Sequence, residues 1–239
     1  MKRKGDIPLF PQRGKAECPL FSSPQELFQR VSMRAAACGL ELDGNAVQAI
    51  ARHMQRVLDA DPRLHLTAID DPAEFLERHV GESLEGATLI DPTLSGALLD
   101  VGSGNGYPGL AVAAARRGLR PMLAEASQRK AAFLRTLLAP DFPEGLVLER
   151  QVQRAEDLAQ LDPLAVVVCR GMGNWERVLP RLASRLRSDG KLLVWGGERV
   201  EQVCTRGLWR RLGLVERRAL PGRERSWIWS FSHSSAPTE

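Results

Sequence analysis

The chain has 239 residues, enough to bury one sizeable core and too few for two full catalytic domains. Hydrophobic residues at 44% and charged residues at 26% exclude wholesale disorder, and a net charge of +4 leans weakly toward a polyanionic partner. No apolar run approaches the roughly 18 residues that span a bilayer, and Cys18, Cys38, Cys169 and Cys204 form no C-x-x-C pair, so a cytoplasmic chain with reduced thiols, no membrane contact and no metal is expected.

Residues 1–22, with Lys2, Arg3, Lys4, Arg13 and Lys15 among several prolines, read as a flexible basic tail. A helical segment over 23–90 follows. Apolar spacing predicts helices at about 24–38 (Leu27, Val31, Ala35) and 43–58 (Val47, Ile50, Met54, Val57), with Gly39 as the stop between them. A third runs from Asp71 to Leu84, capped by Asp70 or Asp71, with Pro72 at its first position.

After Asp91 the period changes. Strand-length runs at Ala97–Val101, Pro121–Ala124, Leu146–Leu148, Leu164–Cys169 and Lys191–Trp195 alternate with helices at about 108–117, 127–138 and 174–186. Such alternation predicts an α/β domain over 91–233, a Rossmann-like, mostly parallel sheet flanked by helices. Val215–Leu220 and Ser226–Phe231 read as a closing antiparallel hairpin around Pro221-Gly222, and 234–239 as a flexible C-terminus. Between Arg206 and Arg225 seven arginines face two glutamates, whereas Asp59–Asp91 is acidic, which suggests one basic face. Only five of the 33 basic residues are lysines, and guanidinium forks suit phosphates, although a genomic composition bias gives the same excess.

The strongest chemical signal is Leu98-Leu99-Asp100-Val101-Gly102-Ser103-Gly104-Asn105-Gly106-Tyr107-Pro108-Gly109. A buried strand enters a glycine-rich turn and then a helix begun by Pro108, a setting in which backbone approaches a nucleotide-type cofactor closely. Tyr107 stands where a dinucleotide loop places its third glycine, which favours S-adenosyl-L-methionine over a dinucleotide; an ordinary tight turn is the plainer reading. Glu125, at the end of the second strand, is placed to accept from ribose hydroxyls, or is a surface glutamate. Arg154-Ala155-Glu156-Asp157 follows the third strand, where this kind of fold holds an adenine, or is simply a charged helix start. At the end of the fourth strand Arg170 suits an acceptor that needs positioning more than deprotonation, such as a guanine N7. A structural arginine paired with an acid is the alternative. Cys169, outside any Pro-Cys context, reads as a core residue.

These segments resemble the RsmG (GidB) family, whose members methylate N7 of a guanosine in the decoding-region hairpin of 16S rRNA, conventionally position 527. Leu66-Thr67-Ala68-Ile69-Asp70-Asp71-Pro72 and Arg78-His79-Val80-Gly81-Glu82-Ser83-Leu84 are similar to the family's N-L-T-A-I-x-D-P and R-H-x-x-D-S-L. Arg129-Lys130, Arg154-Ala155-Glu156, Arg170 and Glu224-Arg225 match its K-R, R-A-E, S-R-A and E-R-H segments. The resemblance implies Gly102, Gly104, Tyr107, Glu125, Ala155, Glu156 and Arg170 at the cofactor, with Arg170 also catalytic. It implies His79, Lys130, Arg154 and Arg225 as RNA-binding or active-site support. His79 has a plainer reading as a helix-packing histidine satisfied by Glu82 or Ser83. A monomer acting on 16S rRNA or the small ribosomal subunit is expected. His65 replaces the family's Asn, Glu82 its Asp, and Gly196 a lysine near the active site. Methylation of a small molecule or protein, and a catalytically silent RNA-binding assembly factor, are the alternative functions.

Overall fold

The computed structural model describes residues 23–152, 155–159, 161–204 and 212–233, with the side chains of 155, 156 and 204 left out. The tail over 1–22, Arg154, the arginines at 206, 210 and 211, and the end over 234–239 lie outside the described residues.

Helix α1 (Pro24–Ala37) opens where the Ser23 hydroxyl accepts from the Glu26 N–H, and α2 (Gly44–Leu58) where Asp43 accepts from Ala46. Leu27, Val31 and Ala35 of the first, and Val47, Ile50, Met54 and Val57 of the second, face the core as their spacing predicted. Asp71, not Asp70, caps the next helix, accepting from Glu74, with Pro72 at the first position.

The single helix expected over Asp71–Leu84 is instead three pieces. A four-residue turn α3 (Pro72–Phe75) leads into a widened π-helical stretch, Leu76–Gly81, and then α4 (Glu82–Ala87). Within the widened stretch the Arg78 carbonyl accepts from Arg170 of the sheet, so the winding changes where the segment meets the strand ends. On α4, a Cβ at Gly86 would lie 2.2 Å from the Trp195 ring, so only glycine allows the helix this near the sheet.

The remaining chain alternates β1 (Gly96–Val101), α5 (Gly109–Ala115), β2 (Leu119–Ala124), α6 (Gln128–Asp141), β3 (Leu146–Leu148), β4 (Leu164–Arg170), α7 (Trp175–Leu182), β5 (Leu186–Gly196) and α8 (Arg199–Cys204), then β6 (Leu212–Ala219) and β7 (Trp227–His233). The seven strands are ordered β3-β2-β1-β4-β5-β7-β6, all parallel except β7, which runs antiparallel to β5 and to β6. This is the expected Rossmann-like α/β sheet with its closing hairpin. The order reverses between β1 and β4, and ligands of open α/β sheets bind at the carboxyl ends of strands flanking such a point.

Strand alternation divides the interior in two. Leu98, Val166, Val168, Leu193 and Trp195 share one apolar cluster with α1, α2, α4, α5 and α6. Leu99, Val101, Val167, Cys169, Val194 and Trp229 share the other with α7 and α8. The N-terminal helices therefore pack into the same core as the sheet.

Candidate functional site

The glycine-rich turn joins β1 to α5 at the strand carboxyl ends. Gly102 takes φ +76, exposed, and a Cβ there would meet the Met172 side chain at 3.2 Å, so the turn comes close to the loop after β4. Across the mouth, Glu125 Oε2 accepts from Gly104 N at 2.9 Å and Oε1 from Ser127 N at 2.8 Å. These bonds fix the carboxylate, and a carboxylate oxygen has lone pairs left to accept from hydroxyls of a ligand.

Beneath the turn lies Asp100, 1% exposed, whose Oδ2 accepts from Gly109 N at 3.0 Å and whose buried Oδ1 has no hydrogen-bond partner among the described residues. Burial pushes its carboxyl up to about 7, partly opposed by the bond from Gly109. Asp100 carried no expected role, although an acid within the apolar run Leu98–Val101 was a visible signal.

Tyr107 is buried and its ring stacks on His53 of α2, with centroids 4.0 Å apart and planes within 8°. His53 Nε2 lies 2.7 Å from the Asn105 carbonyl and donates to it, so α2 grips the turn. His53 was missed because it occupies the apolar face of a helix otherwise read as core.

Arg170 closes β4 on the side of the N-terminal helices. Its Nη1 donates to the Arg78 carbonyl at 3.0 Å and lies 3.8 Å from Glu82 Oε2, while Nη2 lies 2.5 Å from His79 Nδ1. His79 Nε2 in turn lies 3.1 Å from Thr67 Oγ1. The His79 ring thus bonds to Arg170 and Thr67; Ser83 meets only its backbone carbonyl. Glu82, 3% exposed, also receives Arg223 at 3.0 Å, and burial raises its carboxyl against the pull of both arginines. The two N-terminal segments quoted for the family resemblance meet the strand ends at this cluster. Thr67, Glu82 and Arg223 were quoted or counted in the sequence without being assigned to the site.

Among the other predicted residues, Ala155 and Glu156 lie in a single 3-10 turn, Ala155–Leu158, after β3. Lys130 sits half-buried in the first turn of α6, where Ser127 accepts from its backbone N–H at 3.5 Å. Arg225, in the hairpin with φ +55, pairs with Glu198 at 2.9 Å. Arg217, Arg218 and Arg223 likewise each meet a carboxylate, so the described part of the basic run is charge-balanced. Cys169 is 1% exposed and burial pushes its thiol up to about 12, which fits a core residue.

Two of the family departures have a local physical reading. His65 takes the left-handed conformation, φ 48, which histidine, like asparagine, tolerates better than most residues. At Gly196 a Cβ would lie 2.7 Å from Val200, and its carbonyl accepts from Trp229 Nε1 at 3.1 Å, so the place of the absent lysine is closed by packing.

Among the described residues no helix is long and apolar enough to cross a membrane, and no group of three or more His, Cys, Asp or Glu is arranged to hold a metal ion.

Residues 46–207 match the family model described as rRNA small subunit methyltransferase G. Curated proteins named ribosomal RNA small subunit methyltransferase G are similar: one of Sorangium cellulosum is 34% identical over 183 residues, covering 74% of each chain. One of Anaeromyxobacter dehalogenans is 34% identical over 172 residues, covering 70% of this chain and 77% of the relative. Of solved structures, the Methanococcus jannaschii fibrillarin pre-rRNA processing protein superposes with a TM-score of 0.52 at 11% identity, over 61% of this chain and 69% of that one. A mitomycin 7-O-methyltransferase superposes with 0.51 at 17% identity, over 89% and 69%. These two likenesses concern the fold.

Proposed function

We propose, from the premise that the chain belongs to the rRNA small subunit methyltransferase G family, that it methylates N7 of a guanosine in 16S rRNA with S-adenosyl-L-methionine as donor. The observation that carries this reading is the pairing of two features at the switch point of the sheet. One is Glu125, fixed across the glycine turn; the other is Arg170, held at the end of β4 by the family-specific N-terminal segments.

The residues present fit the donor. Gly102 and Gly104 take positive φ at the mouth, where no side chain stands in the way of a ligand, and Glu125 has acceptor capacity left for a ribose. The turn at Ala155 and Glu156 follows β3, where an adenine would lie. When bound, S-adenosyl-L-methionine supplies an electrophilic methyl group on a sulfonium sulfur.

Guanine N7 carries a free lone pair, so forming the new N–CH3 bond removes no proton from the base. The chain then needs no general base, and its work is positioning and placement of charge. Arg170 fits that demand: burial lowers its pKa without bringing a guanidinium near neutrality, so it stays a fixed cation. His79 and Lys130 support the site, and Arg225 meets the RNA by exchanging Glu198 for phosphate. Arg154, outside the described residues, keeps its expected role in RNA binding or active-site support. The helical segment 23–90 flanks the substrate and 91–233 performs the transfer. The protein acts as a monomer in the cytoplasm on RNA of the small subunit.

Calorimetric titration with S-adenosyl-L-methionine, followed by labelled transfer offered to small-subunit particles, ribosomal proteins and free nucleosides, tests this reading. Cofactor binding with label in RNA alone supports it. Label in protein or nucleoside identifies a different methyltransferase, and no cofactor binding identifies a silent assembly factor.

A further inference from the structure

We propose that Thr67 and His79 are positioning residues for Arg170: Thr67 locks the His79 imidazole in one neutral tautomer, and that tautomer fixes the plane of the guanidinium at the end of β4. This rests on reading Arg170 as part of the methyl-transfer site.

A guanidinium carries only donors, so at 2.5 Å from Arg170 Nη2 the His79 Nδ1 must be the unprotonated nitrogen. The ring hydrogen then sits on Nε2, which points at Thr67 Oγ1, 3.1 Å away. That hydroxyl also accepts from Ile69 N at 3.0 Å, so its two lone pairs take two N–H groups and the loop holds the oxygen in place. Reversing the tautomer would set an N–H against a guanidinium N–H, and protonating the ring would add a second buried cation. Burial and then the Arg170 charge push His79 down to about 2, in line with this geometry. The ring is also wedged between Phe75, with centroids 4.3 Å apart, and Tyr107, at 5.6 Å.

Arg170 Nη1 is held by the Arg78 carbonyl. A second anchor on Nη2 turns a pivot into a fixed plane, and a displacement of about 1 Å at a reacting centre costs on the order of a hundredfold in rate. Histidine is suited to this position because its acceptor and donor lie on opposite sides of one rigid ring.

The test uses the full chain and small-subunit particles lacking the modification. Thr67→Val removes the acceptor at nearly constant volume, whereas Thr67→Ser keeps the oxygen. His79→Leu removes the Nδ1 acceptor, whereas His79→Asn returns an amide oxygen close to its place. Thr67→Val and His79→Leu should slow kcat about tenfold or more with the cofactor Kd within about threefold, and Thr67→Ser and His79→Asn should recover most of the loss. Nitrogen-15 NMR of the histidine rings in the wild-type protein should show His79 as the neutral Nε2–H form at pH 7. Equal rates for Thr67→Val and Thr67→Ser, or a His79 ring that is protonated or carries its hydrogen on Nδ1, would overturn the proposal. The ring spectrum requires no turnover, so a wild-type protein that fails to methylate RNA refutes the functional reading while the positioning geometry is still decided. It also decides if a variant fails to fold.

Discussion

The His53 imidazole lies parallel to the Tyr107 ring at 4.0 Å, while its Nε2 donates to the carbonyl of Asn105, two residues earlier in the glycine turn. One buried side chain of α2 thus holds the cofactor turn by both a ring face and a hydrogen bond. His53→Leu keeps the volume but leaves the Asn105 carbonyl without that donor, which costs about 1–3 kcal/mol. Denaturant melts should show that loss, and titration should show weaker S-adenosyl-L-methionine binding. Unchanged stability and affinity would mean that the turn stands without α2.

The buried titratable groups make stability pH-dependent in opposite senses. His53 falls from 6.5 to about 4 on folding, so its contribution is complete above pH 6.5 and is lost as pH falls through 4. Asp100 rises from 3.8 to about 7, so the folded state keeps a proton that the unfolded chain releases, and stability drains as pH climbs through that window. Asp100→Asn keeps an acceptor for Gly109 and removes only the second effect. The variant should gain on the wild type by about 1 kcal/mol or more between pH 4.5 and 8 in urea melts. A difference that is flat with pH contradicts burial of the ionised group.

Glu125 supplies a charged acceptor at the mouth of the site. Glu125→Ala should weaken S-adenosyl-L-methionine binding about tenfold or more, consistent with losing hydrogen bonds to a charged group, each about 1.5–3 kcal/mol. Glu125→Gln, with one acceptor oxygen left, should fall between. Wild-type affinity in Glu125→Ala, read by calorimetry, would place the ribose elsewhere.

Glu82 stands between Arg170 and Arg223 at 4% side-chain exposure. Glu82→Leu strands the buried Arg170 guanidinium, and breaking a buried pair from one side costs about 3–5 kcal/mol. Thermal melts should show a large loss in Glu82→Leu, partly recovered in Glu82→Asp. An unchanged melting point would mean that Arg78 and His79 suffice to hold Arg170.

Much of this arrangement was legible in the sequence wherever one physical pattern dominated. Amphipathic spacing placed α1 and α2, and strand-turn-helix alternation placed β1, the glycine turn and Glu125. Residues governed by contacts distant in sequence were not legible. The widening at Leu76–Gly81 belongs to a helix that must turn a carbonyl toward Arg170, 92 residues away, and local propensity cannot register that. β5 begins at Leu186 rather than Lys191 because polar residues Arg187–Asp189 hid its start, and α8 was concealed by the preceding Gly196-Gly197. His53 and Asp100 each broke an apolar pattern, and the breaks were the signal. Thr67 and Glu82 were visible as parts of a family resemblance, but only the fold brings them to the same guanidinium.

The most direct test of the central claim is to incubate unmodified small-subunit particles with the protein and methyl-labelled S-adenosyl-L-methionine, then treat the 16S rRNA with borohydride and aniline, which cut the chain at N7-methylguanosine. The account predicts label in the RNA and one new scission, at a guanosine of the decoding-region hairpin, both lost in Arg170→Ala. Labelled RNA that resists scission, or scission at another site, would contradict it.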